Sequence, residues 1–424
     1  ASLKGGTLNN GADNEGTPYY YLNHIFANTL FDEAGTILAI TIDQMEIVTP
    51  NSRTATAPHF YGFPGQSYSY DENHDGTVDG KITVDEELFL ASFLDMKTKR
   101  ERGSTYAMTS GSWAEQMNAY EAMFVGMNID DVVQWYDSYA SDVNGRPLKM
   151  TGSSYEQDIQ KFNALSASEQ EMLVDFTSRA SISLNDDHGN VLKAIVNSYQ
   201  NIKPVYATKV AAHGSGITFV GRLGPGSDKN GLPVYSFNEV FVYTLFDEND
   251  RIVDIFIDQY ELRTPNSSSA VNRFTGWPGE TYSQDVNFDG TTYRNVAATA
   301  QTLASEMDAL VTKAAQGSSY MMGSGSWDVQ MSRFADVFIG MTATEVSQWF
   351  DKYCSDINGR PLKISDSSAA QDVAKFNSLS NAEQAMLVDV TSGATISLND
   401  DHGDIIKAIL KSFENKVDIN VTVN

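Results

Sequence analysis

The residues best suited to chemistry lie in Asp389-Val-Thr-Ser-Gly-Ala-Thr395, where hydroxyl side chains and a carboxylate flank two small residues. Gly393 and Ala394 leave the backbone beside the Thr395 hydroxyl uncluttered, so a bulky group can approach it. An anion held on that hydroxyl would lie close to the next expected helix, which carries Ile405, Ile409 and Phe413 on one face. Free amides and the helix dipole favour negative charge at such a start. The same seven residues also fit a tight turn closed by a Ser/Thr cap, and a short motif does not choose between the two.

Other segments offer walls or ligands. Gly317-Ser-Ser-Tyr-Met-Met-Gly-Ser-Gly-Ser-Trp327 supplies hydroxyl donors and room, with Tyr320, Met322 and Trp327 as flat or polarizable faces; Trp327 also belongs to an apolar stripe and reads as core. His188 and His402 are expected in the first turns of terminal helices, as polar caps before ligands, and Arg360 and Lys363 follow an Asn-Gly turn. Asp71, Asn73, Asp75 and Asp79 place oxygens at alternate positions of a loop with Gly76 at its sixth position, as in calcium loops, but Ile82 stands where such a loop ends in Glu. Calcium there would be structural, and a plain acidic turn is the alternative.

These segments occur in duplicate. Ser183-Leu-Asn-Asp-Asp-His-Gly189 returns as Ser397-Leu-Asn-Asp-Asp-His-Gly403, Asn144-Gly-Arg-Pro-Leu-Lys149 as Asn358-Gly-Arg-Pro-Leu-Lys363, and Thr29-Leu-Phe-Asp-Glu33 as Thr244-Leu-Phe-Asp-Glu248. A repeat this long is a duplicated domain, here residues 1–205 and 206–424 with the junction near 203–215. Each copy opens with β-branched runs such as Ile37–Asp43 and Ile252–Asp258, predicted as antiparallel hairpins. Each continues into helices: Trp113, Met117, Tyr120 and Phe124 share a helical face, as do Trp327, Met331, Phe334 and Phe338. Ser166 with Glu169, and Ser380 with Glu383, have capping-box spacing. Strands followed by helices predict an α+β fold, two duplicated domains each with an antiparallel sheet and packed helices.

Composition narrows the function. A net charge of −26 repels nucleic acid and anionic membrane surfaces. A single cysteine, Cys354, excludes an intrachain disulfide and a Cys-based metal centre. No apolar run reaches the ~18 residues of a membrane helix, and the expectation is a soluble mature chain from which a signal or anchor has been removed. Among the histidines only His188 and His402 correspond between copies, and no Gly-x-Ser-x-Gly elbow joins a strand to a helix, which argues against a Ser-His-Asp hydrolase.

The Asp389–Thr395 segment, followed by a terminal helix, resembles the FMN-binding domain family, typified by the C subunit of the sodium-pumping NADH:quinone reductase and by flavinylated bacterial surface lipoproteins. Asp389, Ser392, Gly393, Ala394 and Thr395 match that family's Asp-x-x-Ser-Gly-Ala-Thr motif. The resemblance implies that a magnesium-dependent flavin transferase takes FMN from FAD and joins its phosphate to Thr395, with Asp389 part of the recognition signal. The aligned Asp175-Phe-Thr-Ser-Arg-Ala-Ser181 has Arg179 and Ser181 in place of Gly and Thr, so the first copy is expected to be degenerate, to hold FMN without a bond, or to use Ser181. The implied function is an extracytoplasmic electron-transfer flavoprotein, a carrier that turns over no substrate by itself, with donor and acceptor unspecified. The rival expectation is a calcium-stabilised surface module for adhesion or glycan binding.

Overall fold

The structure, a computed structural model, describes residues 1–422, and of residues 6–10 only the backbone. In the first repeat the chain forms β1 (Ser2–Ala12), β2 (Pro18–Phe31), β3 (Ile37–Val48), β4 (Ser67–Tyr70), β5 (Gly80–Thr83), α1 (Glu86–Ala91), α2 (Lys99–Arg102), β6 (Ala107–Met108), β7 (Gly111–Ser112), α3 (Trp113–Phe124), α4 (Ile129–Tyr139), α5 (Glu156–Ala164), α6 (Ala167–Arg179), β8 (Asn185–Asp186), β9 (Gly189–Asn190) and α7 (Val191–Gln200). The second repeat gives the same succession: β10 (Lys209–Arg222), β11 (Ser236–Phe246), β12 (Ile252–Arg263), β13 (Thr281–Asp285), β14 (Tyr293–Ala297), α8 (Ala300–Asp308), α9 (Lys313–Gln316), β15 (Met321–Met322), β16 (Gly325–Ser326), α10 (Trp327–Phe338), α11 (Ala343–Tyr353), α12 (Ala370–Asn377), α13 (Asn381–Gly393), β17 (Asn399–Asp400), β18 (Gly403–Asp404) and α14 (Ile405–Glu414). A final strand, β19 (Val417–Thr422), joins the second sheet beside β10. The fold is α+β, with antiparallel sheets ordered β1-β2-β3 and β12-β11-β10-β19.

Local signals explain the helices. Ser166 and Ser380 close full capping boxes with Glu169 and Glu383, satisfying first-turn amides that have no partner within the helix. Helix α3 ends at Phe124, and Gly126 takes a positive φ of 90° where a side chain would be strained. Its buried face is Trp113, Met117, Tyr120 and Phe124, packed with Ile25, Ile40 and Ile42 from the sheet.

Strand β2 is buried on both faces, which explains its nearly continuous burial. Ile25, Ala27 and Phe31 face the helices of their own repeat, whereas Leu22 and Phe26 enter a core shared with the other repeat. In β11 the same division holds: Val240, Val242 and Phe246 face helices, and Phe237 and Phe241 face the first sheet. The two sheets therefore pack face to face with helices outside.

Equivalent residues meet across this interface, which defines an approximate twofold axis of the kind that relates the halves of a symmetric dimer. Phe26 packs on its counterpart Phe241 with ring centroids 5.0 Å apart, and Phe60 on Phe274 at 6.3 Å. The buried His24 Nδ1 is hydrogen-bonded to the carboxylate of its own counterpart, Glu239. The repeats also exchange segments: α8 of the second lies on β1 of the first, and α1 of the first on β10 of the second. The absence of a side chain at Gly5 and Gly221 permits these approaches. A Cβ on Gly5 would stand 2.6 Å from Met307, and one on Gly221 2.4 Å from Phe93. Hydrogen bonds from Trp277 Nε1 to the Phe60 carbonyl (2.6 Å) and from Gln66 Nε2 to the Thr275 carbonyl (2.8 Å) fasten the junction.

Candidate functional site

Thr395 is held where the sequence motif meets the start of a different helix from the one expected. Asp389, Ser392 and Gly393 form the last turn of α13, Ala394 is its buried C-cap, and Thr395 follows, partly exposed. The next helix, α14, begins only after β17 and β18, with Asp404 as its N-cap. The helix that presents its N-terminus to Thr395 is α10. Gln330 in its first turns accepts the Thr395 amide at 2.8 Å through Oε1 and donates through Nε2 to the Gly325 carbonyl at 3.0 Å. The Ser324 hydroxyl lies 3.1 Å from Thr395 Oγ1.

Gly393 has ordinary helical backbone, so the motif does not need its conformational freedom here. A Cβ there would stand 3.4 Å from Arg333 Cγ, an ordinary contact, so the packing would also accept a small side chain. Arg333 pairs with Asp389. In the first repeat Arg179, at the glycine position, pairs with Asp175 at 3.0 Å, while Ala119 occupies the position of Arg333. The motif aspartate is thus ion-paired in both repeats, by arginines from different helices.

The two acceptor positions differ more in what caps the facing helix. Ser181 repeats the Thr395 geometry: its amide donates to Gln116 Oε1 at 2.8 Å and its hydroxyl lies 3.3 Å from that of Ser110. At α3, however, Ser112 and Glu115 form a complete capping box, with Glu115 Oε2 accepting from the Ser112 amide at 2.7 Å. Hydrogen bonds from Ser112 hold the Glu115 carboxyl below its usual range. Val329 replaces that glutamate in the second repeat, and Ser326 makes no side-chain capping bond. The N-terminus of α10 is therefore open to an external acceptor, although Asp328 adds a negative charge to its first turn. Ser324 belongs to the Gly317–Trp327 segment expected to supply hydroxyl donors, whereas sequence reasoning missed Gln330 and Val329; comparing Ser112-x-x-Glu115 with Ser326-x-x-Val329 would have found the latter.

Tyr320 serves a charge cluster beside this region. Its hydroxyl donates to Glu261 Oε2 at 3.1 Å, and Glu261 also meets Arg263 at 2.8 Å and Lys313 at 3.5 Å. Burial alone would push the Glu261 carboxyl up, but Lys313 and Arg263 overcome it and hold the group well below the usual range. The first repeat builds its version from Glu46, Lys99 and Arg102, with Tyr106 in the place of Tyr320. Met322 pairs with Gly325 in the short hairpin that carries Ser324 and is partly exposed, whereas Trp327 is buried in the helix–sheet core. Beside Tyr320 opens a cleft of about 330 Å³ whose lining includes Arg222, Lys229, Arg263, Tyr293 and His402.

Other expected sites resolve differently. His188 and His402 sit in two-residue turns before their helices, not in the first turns; Asp186, Asp187 and His188, and likewise Asp400, Asp401 and His402, bring ligand atoms within 4.8 Å of one another. Among the described residues Asp71, Asp75 and Asp79 are not gathered in this way. Both Asp71 oxygens accept backbone amides, from Asp75 at 3.2 Å and Gly76 at 2.7 Å, Asn73 also accepts from Asp75, and Asp79 accepts from Glu72. The Arg53 guanidinium lies over Gly76, in the space a side chain there would take, and supplies positive charge to the loop. Arg360 is exposed on its turn, and Lys363 reaches the Thr391 carbonyl at 3.5 Å, near the end of the motif helix. No helix among the described residues is long and apolar enough to cross a membrane.

No described protein family matches the chain, and no solved structure matches it. The chain is similar to a chlorophenol reductase of Desulfitobacterium hafniense, 34% identical over 186 residues that make up 42% of this chain and 51% of that protein, so it spans about half the length of this relative. The relative is named as an enzyme, and this overturns the expectation of a carrier that is no enzyme.

Proposed function

We propose that the chain is an extracytoplasmic electron-transfer flavoprotein that carries FMN by a phosphoester on Thr395 and takes part in a reductive reaction. The observation that carries the reading is the uncapped N-terminus of α10 facing a partly exposed Thr395 hydroxyl, with the Ser324 hydroxyl 3.1 Å away. A phosphate on Thr395 Oγ1 fits this set of donors: Ser324, Ser326 and the free first-turn amides. Gln330 fixes the Thr395 backbone, so the hydroxyl is presented in one position. In the first repeat the Glu115 carboxylate already takes the Ser112 amide and hydroxyl and would repel phosphate, which supports assigning the attachment to the second repeat alone.

Attachment would form a bond from Thr395 Oγ1 to the FMN phosphorus of FAD and break the pyrophosphate, with AMP leaving and the hydroxyl proton passing to the transferase. FMN, once attached, supplies one- and two-electron redox chemistry; this chain's residues hold its phosphate and shape its surroundings. A covalent bond also keeps the cofactor from being lost outside the cytoplasm. The similarity to a chlorophenol reductase supports a place in the reduction of an organic acceptor.

Co-expression with a flavin transferase tests the reading. Denatured protein should stay yellow, and the peptide containing Thr395 should be heavier by one FMN less water. Thr395→Ala should abolish the label, Asp389→Ala should impair it, and Ser181→Ala should leave it. A label that survives Thr395→Ala and vanishes in Ser181→Ala moves the site to the first repeat; no label on either residue ends the flavin reading in favour of a surface-binding module.

A further inference from the structure

We propose that the cleft beside Tyr320 is a binding site for a small organic oxyanion, a carboxylate or phenolate on a body of about ring size. Such a site would bind its anion with or without a flavin on Thr395. In a chain of net charge −26, three cations line this one cleft: Arg222, Lys229 and Arg263. Glu261 is the carboxylate in its wall, and that group is already shared among Arg263, Lys313 and the Tyr320 hydroxyl. Arg222 Nε lies 3.4 Å from Asp401 Oδ2 without hydrogen-bonding it, so two carboxylates, Glu261 and Asp401, stand against Arg222, Lys229, Arg263 and Lys313. Positive charge therefore remains for a ligand. The volume of about 330 Å³ falls at the small end of ligand pockets.

The first repeat serves as an internal comparison, because it keeps the cleft's supports and places bulkier apolar residues at two of its positions. Glu46, Lys99, Tyr106 and His188 stand where the second repeat has Glu261, Lys313, Tyr320 and His402. At the open positions the residues change character. Tyr21 replaces Ser236, and its ring, 2% exposed, lies flat against His188 with centroids 6.4 Å apart and an interplanar angle of 8°. Val48 replaces Arg263 and packs with Tyr21 and Ala57 in a small apolar cluster. Asn14 replaces Lys229, and Gly6, opposite Tyr21, takes the register position of Arg222, opposite Ser236. Both repeats hold their buried glutamate with two cations, Lys99 and Arg102 or Lys313 and Arg263, but one sets Tyr21 and Val48 where the other sets Ser236 and Arg263 beside an open cleft. Replacing a packed Tyr and Val by Ser236 and Arg263 forfeits apolar burial, so stability alone gives no reason for it.

The shape of the site sets the ligand class. Arg263 lies over the Tyr320 ring at 5.8 Å and Lys229 over Tyr293 at 5.6 Å, and all four residues line the cleft, so aromatic faces hold two of its cations. Planar guanidinium groups suit a two-oxygen anion better than a point charge does.

Calorimetric titration of the full chain with benzoate, 4-nitrophenolate, benzamide and inorganic phosphate tests the proposal. Benzoate or 4-nitrophenolate should bind saturably at one site, and benzamide at least about tenfold more weakly. Arg222→Gln, Arg263→Gln and the exposed Lys229→Gln should each weaken the anion about tenfold, and Ser236→Tyr should remove binding by setting the first repeat's bulkier ring there. Circular dichroism confirms folding, and Lys229→Gln keeps the test decisive if a buried variant does not fold. The proposal is overturned if neither organic anion binds, if benzamide binds equally, if only phosphate binds, or if Ser236→Tyr binds as the parent does. It is overturned too if anions bind only after Thr395→Ala, since the cleft would then belong to the attached flavin's own ring.

Discussion

Replacing Glu239 by leucine is expected to cost the protein about 3–5 kcal/mol, because it strips the partner from a histidine in the middle of the shared core. His24 is 1% exposed and Glu239 0%. Neither His24 Nε2 nor Glu239 Oε1 has another hydrogen-bond partner, so the contact between Nδ1 and Oε2 is the main compensation for burying both groups. The surroundings are apolar or aromatic: Phe26 and Phe241 pack at a tilt on the same two strands, and the Tyr260 ring lies 5.8 Å from that of His24. The double replacement His24→Leu/Glu239→Leu should therefore recover most of the loss, ending within about 1 kcal/mol of the parent or above it, since apolar pairs often replace buried ion pairs without cost. Guanidinium unfolding, followed by tryptophan fluorescence and far-ultraviolet circular dichroism, measures both. Trp113 and Trp327 report the two helix–sheet cores and Trp277 the shared one, so the parent should unfold in a single transition by either probe. A cost below about 1 kcal/mol for Glu239→Leu, or a double variant as unstable as the single, would refute the reasoning; two separate transitions in the parent would show that the repeats do not share a core.

Burial pushes the Asp258 carboxyl up to about 6 from 3.8, so it stabilises the fold fully below pH 4 and this stability is lost as pH rises through 6. The melting temperature of the parent relative to Asp258→Asn should accordingly fall between pH 4 and pH 7, by the equivalent of up to about 3 kcal/mol, and a flat difference would sink the assignment. Gly221→Ala should destabilise by about 1–3 kcal/mol, and Gly5→Ala by less, because the Phe93 ring is rigid while the Met307 side chain can move aside; equal costs in denaturant titrations would contradict that. A chelator should leave the melting temperature unchanged, because loop amides and Arg53 already satisfy Asp71, Asn73 and Asp75. A fall on chelation would place a cation in the loop.

The α+β class, the duplicated order of elements, the capping boxes at Ser166 and Ser380 and the helix faces beginning at Trp113 and Trp327 were all legible in the amino-acid order. Each depends on contacts within a turn or a few turns, which periodicity and capping chemistry record directly. The motif at Asp389–Thr395 was equally plain as a string of residues. Its setting was not: that Thr395 faces α10 rather than α14, and that His402 lies in a turn beside a cleft, depends on which helix packs against which across dozens of residues. The exchange of α1 and α8 between repeats left only the faint trace of glycines at positions 5 and 221, because a residue type does not say which distant side chain will need its room. The difference between Tyr21 and Ser236 was present in the sequence throughout, but only packing decided that one fills a space and the other opens it, since a cavity is a property of the atoms that surround it and not of the residue that is missing.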